Sequence, residues 1–266
     1  MPIVKTATLD IHYAEDGPAD APALVFSNSL ATNLSMWQVQ AQHFSDRFRV
    51  IRYDQRGHGT TAVPAGPYTF EQLANDAVAL LDALDIPTAH FVGLSMGGMT
   101  ALGLALDHAD RIASIAACNC VAGYGPDGVK VWDERIAAVS ETGLEPIIEA
   151  TVERWFTAPT RAARPDDMAA VRAMIAATPV QGYLGCCGAL KHLAYQDRLA
   201  GITLPTLFIA GTHDIGAPAA AMREMHARVA GSRYVELDAA HVSNIERPAE
   251  FNAALDEFLT ARTRDR

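Results

Sequence analysis

Apolar residues fall into two kinds of run along this chain, and the two kinds alternate. Short runs rich in β-branched and aromatic residues recur at Ile3–Leu9, Ile11–Ala14, Ala23–Ser27, Arg49–Tyr53, His90–Gly93, Ile112–Cys118, Thr206–Ala210 and Arg233–Leu237. The last six are mostly continuous, the pattern of strands covered on both faces, while the closely joined first two predict an antiparallel edge. Between them the apolar spacing lengthens to that of helices. Phe70–Leu84 puts Leu73, Ala77, Leu80, Leu81 and Leu84 at helical spacing, with Glu71 near the dipole's positive end. Met99–Asp107 is almost wholly apolar and predicts a buried helix. Pro248 opens a last helix with Phe251, Leu255, Phe258 and Leu259 on one stripe. Such alternation predicts an α/β fold, a mostly parallel eight-stranded sheet flanked by helices.

The rhythm breaks between about residues 121 and 201. That stretch opens with Gly123, Gly125, Pro126 and Gly128, then reads as alanine-rich helices carrying Trp132, Trp155 and several arginines. The simplest reading is a helical cap inserted after the sixth strand, over the carboxyl ends where open α/β sheets bind ligands. The core is then 1–120 with 202–266, and the cap 121–201.

Composition narrows the partners. A chain of 266 residues accommodates one large domain with such an insertion. Its net charge of −10 argues against nucleic acid or an anionic membrane, which need a basic face. Met1–Tyr13 lacks the basic start and apolar run of a signal peptide. No stretch approaches the roughly 18 continuous apolar residues of a membrane helix, so a cytoplasmic location is expected. Cys118 and Cys120 read as sharing one face of a strand, and Cys186 and Cys187 are adjacent. Neither spacing suits a disulfide framework or a zinc site; reduced core thiols, and neither metal nor cofactor, are expected. Self-association is left open.

One turn carries chemistry. The strand ending at Gly93 runs into Gly93-Leu94-Ser95-Met96-Gly97-Gly98 and then a helix. This is G-x-S-x-G in the strand–turn–helix setting that gives the motif its meaning: the turn is so sharp that side chains two before and two after the serine would collide. Ser95 is the expected nucleophile; Ser27 and Ser29 lack the flanking glycines. A serine hydroxyl needs a positioned base, and His241, in a short loop after the last strand, lies at the same edge of the sheet. His12, His43 and His108 have no such setting, and His58, in Asp54-Gln55-Arg56-Gly57-His58-Gly59, reads as loop architecture. The base needs a carboxylate to orient it. Asp214, after Gly211-Thr212-His213, gives the chain order Ser–Asp–His, with Asp238 as rival. The N–H of Met96, and that of Leu30 in Ser27-Asn28-Ser29-Leu30-Ala31-Thr32, are the expected oxyanion donors.

These residues, with Arg52-Tyr53-Asp54, Gly182-Tyr183 followed by Cys186-Cys187, and Ala240-His241-Val242-Ser243-Asn244, give the chain a close resemblance to 3-oxoadipate enol-lactonases. These are bacterial α/β-hydrolases that open an enol-lactone in the β-ketoadipate pathway of aromatic catabolism. The likeness spans nearly the whole chain. Elbow and triad are common to the superfamily; the Ser-Asn-Ser-Leu loop and the Gly-Tyr…Cys-Cys segment are more specific. The resemblance implies the α/β-hydrolase fold, an acyl-enzyme on Ser95, and a small enol-lactone substrate bearing a carboxylate. An acidic protein must recognise that carboxylate locally, and Arg135, Arg154 and Lys130 are candidates, Arg135 first. Trp132 and Trp155 are candidate pocket walls. The competing readings are a general small-ester carboxylesterase or perhydrolase on the same triad, and a triad-retaining ligand receptor. Haloalkane dehalogenases and epoxide hydrolases need an aspartate where Ser95 stands.

Overall fold

The computed structural model describes residues 2–263. Its strands are β1 (Ile3–Lys5), β2 (Asp10–Asp16), β3 (Ala23–Ser27), β4 (Arg49–Tyr53), β5 (Ala89–Leu94), β6 (Ile112–Cys118), β7 (Thr206–Gly211) and β8 (Arg233–Leu237). They form one sheet in the order β1-β2-β4-β3-β5-β6-β7-β8. β1 and β2 pair antiparallel, as do β2 and β4; all other pairs are parallel. The strand expected over Ile3–Leu9 is cut short because Thr6 turns the chain. Its hydroxyl donates to the Leu9 carbonyl at 2.8 Å and accepts from the N–H groups of Thr8 and Leu9. β3 and β7 are buried throughout, as their continuous apolar runs require. β8 departs from that expectation. It is the sheet's edge, paired only with β7, and Leu237 alone of its five residues is buried.

The helices of the first half are α1 (Gln38–Phe44), α2 (Phe70–Ala83) and α3 (Met96–Asp107). α2 starts on a capping box, in which the Thr69 hydroxyl accepts from the Gln72 N–H and the Gln72 side chain accepts from the Thr69 N–H, both at 3.1 Å. α3 begins three residues before the apolar run suggested, and ten of its twelve residues are buried. Between β6 and β7 the chain is helical: α4 (Pro126–Thr142), α5 (Ile148–Trp155), α6 (Ala158–Ala163), α7 (Pro165–Ala176) and α8 (Val180–Lys191). The chain ends on α9 (Ala219–Arg228), α10 (Ser243–Glu246) and α11 (Pro248–Thr263).

α8 packs directly on the core loop that follows β4. Gly182, Gly185 and Gly188 recur every three residues and so share a face. A Cβ on Gly182 would strike the Gly57 backbone, one on Gly185 the Tyr68 ring, and one on Gly188 the Pro67 side chain. The Tyr68 N–H also donates to the Gly185 carbonyl at 2.9 Å. Cys118 ends β6, and Asn119 at φ 46° turns the chain, so Cys120 lies beyond the strand whose face it was expected to share. All four thiols are buried and free. Among the described residues no single helix is long and apolar enough to cross a membrane.

Candidate active site

β5 ends at Leu94 and α3 begins at Met96, which leaves Ser95 alone on the turn at φ 56°, ψ −116°. A non-glycine residue held there costs about 1–3 kcal/mol and persists only where its surroundings fix it. They do. The Ser95 N–H donates to the Cys118 carbonyl at 2.8 Å, and the Gly97 N–H to the Asn28 carbonyl at 2.9 Å. A Cβ on Gly93 would run into the Gly97 carbonyl, and one on Gly97 into that of Ser27. Met96 opens α3, so its N–H lacks an intrahelical acceptor and the positive end of the helix dipole lies beside Ser95.

His241 follows β8 in a short loop ahead of α10, and its Nδ1 lies 2.8 Å from Asp214 Oδ2. Its Nε2 has no hydrogen-bond partner among the described residues. Asp214 is buried, with every acceptor position served. Oδ2 also accepts from Asn119 Nδ2 at 3.0 Å, and Oδ1 accepts from the N–H groups of Gly216 and Ala217 at 2.8 and 3.0 Å. Burial alone would push this carboxyl up. The charge and hydrogen bond of His241, with the bonds from Ala217 and Asn119, outweigh it and hold Asp214 below the usual range.

Asn119 was missed in the sequence because nothing in the Asn-Cys step after β6 announces it. Its amide also donates to the Ala240 carbonyl at 3.2 Å, and its Oδ1 accepts from the Ser243 hydroxyl at 2.5 Å. One buried amide therefore braces Asp214 and the loop of His241 together. Asn119→Ala should lower kcat about tenfold, equivalent to ~1.4 kcal/mol at the barrier, with KM little changed. Steady-state kinetics well below the variant's melting temperature would check this.

The rejected alternatives account for one another. His213 Nε2 pairs with Asp238 Oδ1 at 2.8 Å, and both side chains are exposed. His12 pairs with Asp54 and His43 with Asp256, and neither they nor His108 lines the cavity at Ser95. His58 is fully buried, and its Nε2 accepts the Ala31 N–H at 3.0 Å. Burial pushes its pKa down, so the ring is neutral, and Nδ1–H donates to the Arg56 carbonyl at 3.2 Å. Asp54 accepts the Leu34 N–H at 2.7 Å, and Gln55 Nε2 donates to the Asn28 carbonyl. The segment after β4 thus acts as a clamp on the 28–34 loop, where Ala31 sits at φ 61° beside Leu30.

Ser95, Asp214, His241 and Leu30 line one cavity of about 380 Å³. Its far wall comes from the inserted helices, with Trp132, Arg135, Arg154, Trp155 and Tyr183. Met96 lies behind Ser95, buried and outside that lining. The Trp155 ring is 6.1 Å from that of His241. Arg135 rests 5.7 Å from the Trp132 ring centroid and donates to the Tyr183 hydroxyl at 3.4 Å. Arg154 donates to the Thr151 hydroxyl at 3.4 Å. Neither guanidinium has a carboxylate partner among the described residues. Burial, then the neighbouring charge of Arg135, lowers the Arg154 pKa. Lys130 lies elsewhere, exposed and 3.9 Å from Glu134. The cavity therefore brings together a serine on a strained turn, a paired histidine and aspartate, and two cations without carboxylate partners among the described residues.

Comparison with known proteins agrees with this architecture. Residues 22–248 match the family model described as the α/β hydrolase fold. Two curated relatives from Acinetobacter baylyi are similar over most of their length. 3-oxoadipate enol-lactonase 2 is 40% identical over 249 residues, covering 94% of this chain and 92% of that protein. 3-oxoadipate enol-lactonase 1 is 38% identical over 258 residues, covering 96% and 93%. The crystal structure of the enol-lactonase from Burkholderia xenovorans superposes with a TM-score of 0.95 at 43% identity, over 97% of this chain and 100% of that one. The chain belongs to the α/β-hydrolase fold family and is an ester-hydrolysing enzyme within it.

Proposed function

We propose that this enzyme opens a small, carboxylated enol-lactone, 3-oxoadipate enol-lactone, to 3-oxoadipate, as a step in aromatic catabolism. The observation that carries the proposal is the pair of guanidiniums, Arg135 and Arg154, held without anions in the cavity that Ser95 lines. A neutral ester offers them no counter-charge; a substrate carboxylate satisfies both. The names of the relatives point to the same substrate, and residues 121–201 act as the cap that supplies this wall.

In this reading His241 Nε2 takes the Ser95 proton as Oγ attacks the lactone carbonyl. The N–H groups of Leu30 and Met96 receive the oxyanion, and Asp214 stabilises the imidazolium. Collapse breaks the bond to the ring oxygen and releases an enolate, which takes the proton from His241. The leaving group stays tethered to the acyl chain, so it competes to re-close the ring until it tautomerises to the ketone. Holding its carboxylate at Arg135 and Arg154 keeps the far end of the chain away from Ser95. Water, deprotonated by His241, then cleaves the acyl-enzyme and creates the second carboxylate.

The test compares kcat/KM for the carboxylated enol-lactone with that for a short-chain nitrophenyl ester. An excess of at least about a hundredfold is expected, two charge-assisted bonds at roughly 1.5 kcal/mol each. Equal efficiencies would instead mark a general esterase.

A further inference from the structure

The histidine loop does not hold itself in place. Glu246, at the end of α10, is 2% exposed, yet its carboxylate pairs with no cation among the described residues. Its Oε2 accepts the N–H of Ala240, the residue before His241, at 2.7 Å. Its Oε1 accepts the N–H of Thr157 at 3.0 Å and the Thr157 hydroxyl at 2.5 Å. Thr157 belongs to the cap, between α5 and α6. On the other side of His241 the Val242 N–H donates to the Trp155 carbonyl at 3.3 Å, and Arg164 donates to the Ile245 carbonyl at 2.7 Å.

Both chain neighbours of His241 are therefore bonded, one by Glu246 and one by Trp155. The bridge needs a carboxylate. Donors approach it from two sides, so both oxygens must accept, which neither a hydroxyl nor an amide provides. Burial would raise the Glu246 pKa, but hydrogen bonds from Thr157, Thr160 and the Ala240 and Thr157 N–H groups hold it low, so it stays ionised. A buried unpaired charge is a costly way to fill space that an apolar side chain would fill more stably.

We infer that Glu246 is a positioning residue: it bolts the loop of His241 to the cap and so sets the base against Ser95. This rests on His241 being the general base, as proposed above.

The test uses full-length Glu246→Gln, Glu246→Ala, Thr157→Val and His241→Ala, assayed well below each melting temperature. Glu246→Ala should lose about tenfold to a hundredfold in kcat, the effect of a base displaced by roughly an ångström, with KM within about twofold. Inactivation by a fluorophosphonate should slow in parallel. Glu246→Gln, which keeps one acceptor oxygen, should recover part of the loss, and Thr157→Val should lose less than Glu246→Ala. Wild-type kcat in folded Glu246→Gln and Thr157→Val, or a loss carried by KM alone, would overturn the inference even if Glu246→Ala does not fold. Activity surviving in His241→Ala would instead overturn the base assignment beneath it.

Discussion

Replacing Ser95 with alanine is expected to abolish covalent labelling by a fluorophosphonate and to lower kcat by about four to six orders of magnitude. The residue sits where its backbone is strained, at φ 56°, and where three chain segments converge on it. Among the neighbouring hydroxyls, Ser29 lines the same cavity but lacks the elbow's flanking glycines. Ser27 Oγ is engaged by the Tyr53 hydroxyl at 3.0 Å, and Ser29 precedes the Leu30 turn rather than a helix N-terminus. Mass spectrometry of the labelled protein should find the adduct on Ser95 alone. Label retained by Ser95→Ala, on Ser29 or elsewhere, would overturn the nucleophile assignment and with it the proposed acyl-enzyme. The variant should remain folded, since alanine keeps the turn's backbone bonds.

The second large effect concerns charge. Arg135→Met and Arg154→Met should each reduce kcat/KM for the carboxylated lactone by roughly tenfold to a hundredfold, one charge-assisted hydrogen bond apiece. The double variant should lose less than the product of the two single losses, because the two guanidiniums share one ligand. The losses should fall mainly on KM, since the carboxylate is bound alike in ground and transition states. A neutral enol-lactone with methyl in place of carboxymethyl is the control, and its kcat/KM should change by less than about threefold. Equal losses for both substrates would show that the arginines only shape the cap. Methionine keeps the apolar arginine stem while removing the guanidinium, which in Arg135 also lies over Trp132.

How much of this was legible follows from how local each signal is. The elbow is written in six consecutive residues because its constraint is steric and local; Gly93 and Gly97 are visible wherever they occur. Strands β3 and β7 announce themselves because burial on both faces demands unbroken apolar runs. β8 resembles them in sequence yet is half-exposed, because an edge is defined by a missing neighbour, which no strand encodes in itself. Asn119 and Glu246 escaped for the same reason. Asn119 bonds to Asp214 and Ala240, far along the chain, and Glu246 joins its near neighbour Ala240 to the distant Thr157. A single asparagine or glutamate carries no pattern. The two arginines fell between these cases: their charge was legible in an acidic chain, but their lack of partners is a property of the folded cavity.

The glycine face of α8 has a consequence for which esters fit. Where Gly182 meets Gly57, helix and loop touch backbone to backbone, and Gly185 packs directly on the rigid Tyr68 ring. Such a joint has nothing compressible in it, so the roof on that side behaves as a fixed wall. Access is left to the rim, where Val131 and Ile215 are the exposed apolar residues. A chamber of about 380 Å³ with one rigid wall suits the small lactone proposed above, a five-membered ring with a short acidic arm.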